Sequence, residues 1–296
     1  MAPVELLQYL LSGLGVGSVY ATVALGLNVI YNTTGIINFA QGEFLVVGAM
    51  TAISLVPVLP LPLAIAAAVI VTTALGALLE LSLVRPLRSP TVLRVIVITI
   101  GASILIREAL LHIWDEKVRA LPYFTGTEVS SVPILGARVS PQVLWILATS
   151  FAVMAALSLF FRFTLTGRAM RACADNRSAA RLCGIKARSM VTLSFALSAA
   201  MGALAGCALS PYTQTQYDMG SSLAIKGFAV AILGGLGNSI AAVAAGLLLG
   251  VVESASIVVA PLAFKDIVSV AALMIVLVVK PSGLFGSKRA ASLRDS

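Results

Sequence analysis

Few side chains in this 296-residue chain have the types and spacing that covalent chemistry requires. The single histidine is His112, at the end of an apolar run, and neither an HExxH nor a GxSxG arrangement occurs. A phosphate loop ends in Gly-Lys, yet none of the six lysines follows a glycine. Cys173, Cys183 and Cys207 lack metal-ligand spacing and imply neither a disulfide framework nor a zinc site. No motif asks for a cofactor. What remains is charge set inside apolar sequence, where it is costly and is kept for a pathway or a partner. Lys226 and Glu253 lie on neighbouring predicted spans, where they either neutralise each other or serve a path. Glu80, close to Arg85, reads either as a side chain snorkelling to headgroup level or as a functional acid. Arg107 and Glu108 are adjacent, point about 100° apart on a helix and cannot pair face to face.

The stretch Tyr31 to Glu43, YNTTGIINFAQGE, interrupts apolar sequence with glycine and polar residues, and its Asn38, Gln41 and Glu43 place two amides and an acid around Phe39. Polar non-helical backbone at membrane depth is tolerated only where protein or a watery cavity covers it, and transporters use such breaks to meet substrate. The plain alternative is an interhelix turn carrying capping residues.

A second polar interval, residues 162–190, carries Arg162, Arg168, Arg171, Arg177, Arg181, Lys186 and Arg188 against the single acid Asp175. Short cytoplasmic loops collect Lys and Arg, which places this interval inside the cell. Asp175 or Ser178 is expected to cap a short docking helix whose Ala179, Ala180 and Leu182 share a face, with Gly184 stopping it in the left-handed conformation.

The elements that hold these two stretches are read from composition. Hydrophobic residues make up 59% of the chain and charged ones 11%, with a mean hydropathy of +1.02, far from the roughly 25% charged usual for soluble domains. The fold class is therefore an all-α polytopic membrane bundle in one domain, residues 1–296. The net charge of +8 sits mostly at the ends of apolar runs, where it sets orientation and meets anionic lipid, so nucleic acid is not the partner.

Apolar runs at Leu6–Ile30, Phe44–Val58, Leu61–Val84, Val95–Ile113, Gln142–Phe160, Val191–Leu209, Leu223–Leu236, Ile240–Ala260 and Ile267–Val279 give nine spans. The count becomes eight if Leu223–Leu236, too short for the roughly 20 residues of a full crossing, is a half-helix. With the amino terminus outside, 14 of the 20 Lys and Arg fall in inner segments. Gly13 and Gly17, Gly202 and Gly206, and Gly246 and Gly250 have the spacing that lets helices approach closely. The Trp114–Pro141 interval reads as an outer loop with room for a hairpin. No internal repeat is visible.

Three motifs carry a resemblance. Gly26 to Ala49, GLNVIYNTTGIINFAQGEFLVVGA, Gly167 to Ile185, GRAMRACADNRSAARLCGI, and Lys280 to Gly286, KPSGLFG, resemble signatures of the LivH-type permeases, membrane subunits of ABC importers for branched-chain amino acids. One departure is Gln41, where that family commonly has His. The resemblance implies a bacterial inner-membrane permease that does no covalent chemistry itself. Its partners would be a second related permease, two ATPase subunits and an external solute-binding protein. It also implies a substrate path beside Asn38, Phe39, Gln41 and Glu43. ATPase coupling would run through Arg168, Arg171, Asp175, Arg177, Ala179, Ala180, Arg181 and Gly184, a pattern similar to the EAA-type loop, with Ser178 where Glu would precede Ala179. Importers of urea or short amides are the nearest alternative, and a gradient-driven carrier or channel is the alternative from another class.

Overall fold

The computed structural model describes residues 3–87, 91–134 and 136–259, with single positions between 267 and 280. Among the described residues the fold is all-α apart from one short hairpin and a single isolated β-bridge between Arg119 and Thr215. In chain order it contains α1 (Pro3–Thr34), α2 (Gln41–Leu55), α3 (Leu61–Leu79) closed by a π-turn (Glu80–Val84), and α4 (Val92–Trp114). The hairpin β1 (Val132–Ile134) and β2 (Ala137–Val139) lies in the loop where the sequence left room for one. There follow α5 (Pro141–Phe163), α6 (Leu165–Asp175), α7 (Arg177–Leu182), α8 (Ala187–Thr213), α9 (Met219–Gly234) and α10 (Ser239–Val259). Among the described residues six helices are long and apolar enough to cross a membrane, whereas α2 and α9 are shorter apolar helices. The expected last span, Ile267–Val279, and the Lys280–Gly286 motif lie largely outside the described residues.

Helix α1 is buried nearly all round, because its small residues let three other helices reach its backbone. A Cβ on Gly13 would sit 2.7 Å from the Gly250 carbonyl oxygen, and one on Gly17 2.6 Å from that of Gly246. The two glycine pairs anticipated from spacing therefore face each other across α1 and α10. Gly202 and Gly206 of α8 likewise admit Phe44 and Leu45 of α2.

These approaches organise the bundle into two triplets, a correction to the absence of a visible repeat. Helix α1 runs antiparallel to α10, as Gly13 and Gly17 meet Gly250 and Gly246. Helix α8 runs antiparallel to α3, with Thr192 at Glu80 and Ala199 at Gly76. Helix α9 lies parallel to α1, with Lys226 at Tyr20 and Gly237, just past its end, at Asn28, while α2 lies parallel to α8. Thus α1 packs on α9 and α10 as α8 packs on α2 and α3, so each half of the chain lends its first helix to the other half. The two triplets oppose each other, with Gly26 of α1 against Ser198 of α8. Sequence comparison of the halves hides this, because packing of this kind asks only for small residues and apolar surface.

Two further expectations are corrected. Glu80 does not snorkel: it is 2% exposed and accepts a hydrogen bond of 2.6 Å from Thr192, because the π-turn that begins there swings it against α8. The cationic interval forms two helices, α6 and α7, and neither Asp175 nor Ser178 caps α7. Asn176 does, its Oδ1 accepting from the backbone N–H groups of Ser178 and Ala179, both at 3.0 Å, because it is the residue left extended between the helices.

Candidate functional site

Helix α1 runs through Thr34, and Gly35 then turns the chain with φ of 72°. Residues 36–39 run without helical structure, Thr34 Oγ1 accepting from the N–H of Ile36 at 3.1 Å. Asn38 makes the turn into α2, its Oδ1 accepting from the N–H of Ala40 at 3.1 Å, an Asx-turn. The break is therefore shorter than Tyr31–Glu43: Gln41 and Glu43 belong to the first turn of α2. That turn lies beside Gly26, eight residues before the end of α1, or about 12 Å at 1.5 Å per residue. The chain leaves α1 at one level and re-enters the bundle to start α2 deep inside it.

All three polar residues anticipated here are fully buried. Gln41 is held from both ends: its Nε2 donates to the Ser198 carbonyl at 3.1 Å and its Oε1 accepts from the Ser198 hydroxyl, which also reaches the Gly26 carbonyl at 2.8 Å. One amide thus ties α1, α2 and α8 together. Phe39 stacks obliquely on Phe228 of α9, ring centroids 5.5 Å apart, and its N–H donates to Thr99 Oγ1 at 3.3 Å. Glu43 Oε1 accepts from Ser103 at 2.9 Å and Ser221 at 3.3 Å. Asn38 Nδ2 and Glu43 Oε2 are buried without a hydrogen-bond partner.

Thr99, Ser103 and Ser221, not singled out from sequence, complete the site with Arg107. Thr99, Ser103 and Arg107 recur every four residues along α4 and so share one face, turned toward the start of α2. Arg107 is directed inward, its Nη1 donating to Ser221 Oγ at 3.3 Å. The spacing of this polar stripe within an apolar helix was the available signal. Ser221 comes from α9, whose start meets the start of α2 so closely that a Cβ on Gly42 would lie 1.9 Å from the Gly220 carbonyl oxygen. Two short helices therefore begin at one point, and their N-terminal ends bring partial positive charge to the buried acid between them.

Lys226 and Glu253 pair as anticipated, at 2.7 Å, with the Tyr20 hydroxyl donating to Glu253 at 3.2 Å. In the cationic interval, Arg168, Arg171, Asp175, Ala179, Arg181 and Gly184 are exposed, and Gly184 takes the left-handed φ of 82° expected of a helix stop. The shared apolar face is split: Ala180 packs against Cys173 and Ala187, while Ala179 and Leu182 face out, Leu182 being 91% exposed. A six-residue helix lying on α6 and α8 can bury only one narrow stripe. Arg177 is half-buried and its Nε has no partner. Burial pushes the Cys173 thiol above its usual range, against the pull of Arg177 and Arg181, whereas Cys183 is exposed.

The family model described as branched-chain amino acid transport system / permease component matches residues 9–277. The chain is 36% identical to the high-affinity branched-chain amino acid transport system permease protein BraD of Pseudomonas aeruginosa, over 95% of each chain. It is 34% and 33% identical to the LivH permease proteins of Salmonella typhimurium and Escherichia coli, again over 95% of each. Among solved structures it resembles PsaBC from Streptococcus pneumoniae in complex with Fab, with a TM-score of 0.50, covering 92% of this chain and 90% of that one at 10% identity, a likeness of fold alone.

Proposed function

The chain belongs to the family of branched-chain amino acid transport system permease components, and on that premise we propose that it forms half of the translocation pore of an ATP-driven importer of branched-chain or other hydrophobic amino acids. The observation that supports this reading is the meeting of α2 and α9 deep in the bundle, where Asn38, Phe39, Gln41 and Glu43 gather polar groups at and just after a helix break, the kind of feature transporters use to meet substrate. Counting α2 and α9 with the six long helices gives eight spans, and the Ile267–Val279 run adds a ninth. The host membrane in this reading is the bacterial inner membrane, with the amino terminus outside.

No covalent chemistry belongs to this chain. ATP hydrolysis would reside in two partner ATPase subunits, with a second related permease completing the pore and an external solute-binding protein delivering cargo. The 162–190 segment supports the coupling role: α6 and α7 present Arg168, Arg171, Arg181, Ala179 and Leu182 outward, an arginine-rich surface with an apolar centre for a partner carrying acids. Motion of that partner would tilt α5 and α8, to which the two short helices are joined.

The test is uptake of labelled leucine by proteoliposomes. Transport should require ATP and the ATPase subunits. Ion-gradient-driven uptake by this chain alone would overturn the reading. Orientation is read from Cys183, which should react with an impermeant thiol reagent in inside-out vesicles and stay unlabelled in intact cells. Cys173 should react slowly until the pH rises past the ordinary thiol range, since its raised pKa keeps the thiolate fraction small.

A further inference from the structure

One feature of the α2–α9 junction goes beyond a polar break. Glu43 is fully buried yet only half satisfied: Oε1 has two serine donors, and Oε2 has none and points at the first turn of α9, where a Cβ on Gly220 would lie 2.7 Å from it. A buried charged oxygen without a partner is expensive to maintain. A direct ion pair would remove the expense, as Lys226 and Glu253 do elsewhere in the same bundle. Here the base is held back. Arg107 reaches only Ser221 Oγ, at 3.3 Å, and that hydroxyl in turn lies 3.3 Å from Glu43 Oε1. An acid and a base thus stand apart with one small group between them, much as the ammonium and carboxylate of an α-amino acid stand about one carbon. The N-terminal ends of α2 and α9 favour a carboxylate. Asp218, just before α9, is a second acid in the field of Glu43. About two turns further along α9 the Phe39–Phe228 pair offers apolar surface.

We propose that Glu43 and Arg107 receive the two charged ends of a zwitterionic α-amino acid, the ammonium on Glu43 Oε2 and the carboxylate on Arg107 and the start of α9, with the apolar side chain against Phe39 and Phe228. In this structure Ser221 links the two charges, and substrate would take over those contacts as the α2–α9 junction opens. The proposal rests on the importer reading and names the groups of the cargo that its site recognises.

The experiment is leucine uptake by the full complex in proteoliposomes, comparing the native protein with Glu43→Gln, Arg107→Gln and the double variant. Assembly is checked by co-purification of the partner subunits. Each single variant should lose about tenfold or more in maximal uptake, the loss of a charge-assisted hydrogen bond in a dry site. The KM should stay put, because the binding protein sets capture. The double variant separates a binding role from a structural one. It removes both charges and leaves no unpaired ion, so a merely structural pair would be rescued, whereas a zwitterion site stays as impaired as the worse single variant. Restored uptake in the double variant, or native uptake in either single one, overturns the proposal. If a single variant fails to assemble, the double variant and Ser103→Ala decide: Ser103→Ala strips a donor from Glu43 without altering charge and should lower uptake several-fold, and native uptake there counts against the proposal. Failure of the native complex to move leucine at all would instead sink the importer reading, and this inference with it.

Discussion

Where α1, α9 and α10 meet, a half-buried lysine touches its acid: Lys226 lies 2.7 Å from Glu253, and Tyr20 closes the cluster. Where α2, α4 and α9 meet, Glu43 faces Arg107 only across Ser221, with one carboxylate oxygen unmatched. A buried charge that fastens helices is neutralised within the fold, because leaving it unpaired costs several kcal/mol. A buried charge that is left half satisfied where two helices begin is available to something that arrives. The pair and the gap are thus the structural and the functional uses of the same expensive component.

The contrast is broken most forcefully at the pair. Lys226→Met should strand Glu253 and cost about 3–5 kcal/mol, seen as loss of folded protein or a large drop in detergent melting temperature, while adding Glu253→Leu should recover most of it. A single variant as stable as the native protein would mean that the pair fastens nothing. At the junction, Gly42→Ala pushes a methyl into the Gly220 carbonyl and should cost about 1–3 kcal/mol, whereas Gly101→Ala, with open space around it on α4, should change stability by no more than about 0.5 kcal/mol. Equal effects at both positions would show that the α2–α9 contact is loose. Gln41→Leu removes the amide that binds α2 to α8 and leaves Ser198 Oγ only the Gly26 carbonyl, costing about 1–3 kcal/mol and impairing uptake while the complex still assembles. Normal uptake would return the break to a plain turn. The smallest effect is expected away from both clusters: Asn176→Ala should cost α7 about 1 kcal/mol in cap energy and weaken ATPase co-purification, with no change in the melting of the bundle.

How much of this could be read beforehand varies by element. A break within Tyr31–Glu43 was legible because polar residues and glycine interrupt apolar sequence there, though not that it narrows to residues 36–39, and the Lys226–Glu253 pair was one of two readings because charges at matching depth on successive spans have few other partners. The glycine pairs announced close approach and did not say to which helix. Asn176 was passed over as the cap of α7 because Asp175 and Ser178 are equally good capping types, and only the backbone bend decides which of them is left extended. The spacing of Arg107 and Glu108 showed that they do not pair with each other and named no other partner, whereas the one Arg107 reaches, Ser221, is 114 residues away.

Composition alone made this an all-helical membrane protein, since a chain so apolar and so poor in charge has no soluble way to hide its surface. Local pattern fixed where the helices run, where the chain breaks and which end is basic, because those depend on residues within a few turns of one another. Only the tertiary structure decided that α1–α3 and α8–α10 repeat one arrangement, that Glu80 turns inward, and that α4 supplies a polar stripe to the start of α2. Each of those depends on which backbones can come within touching distance across more than fifty residues of chain, and that is settled by the packing of the whole bundle at once.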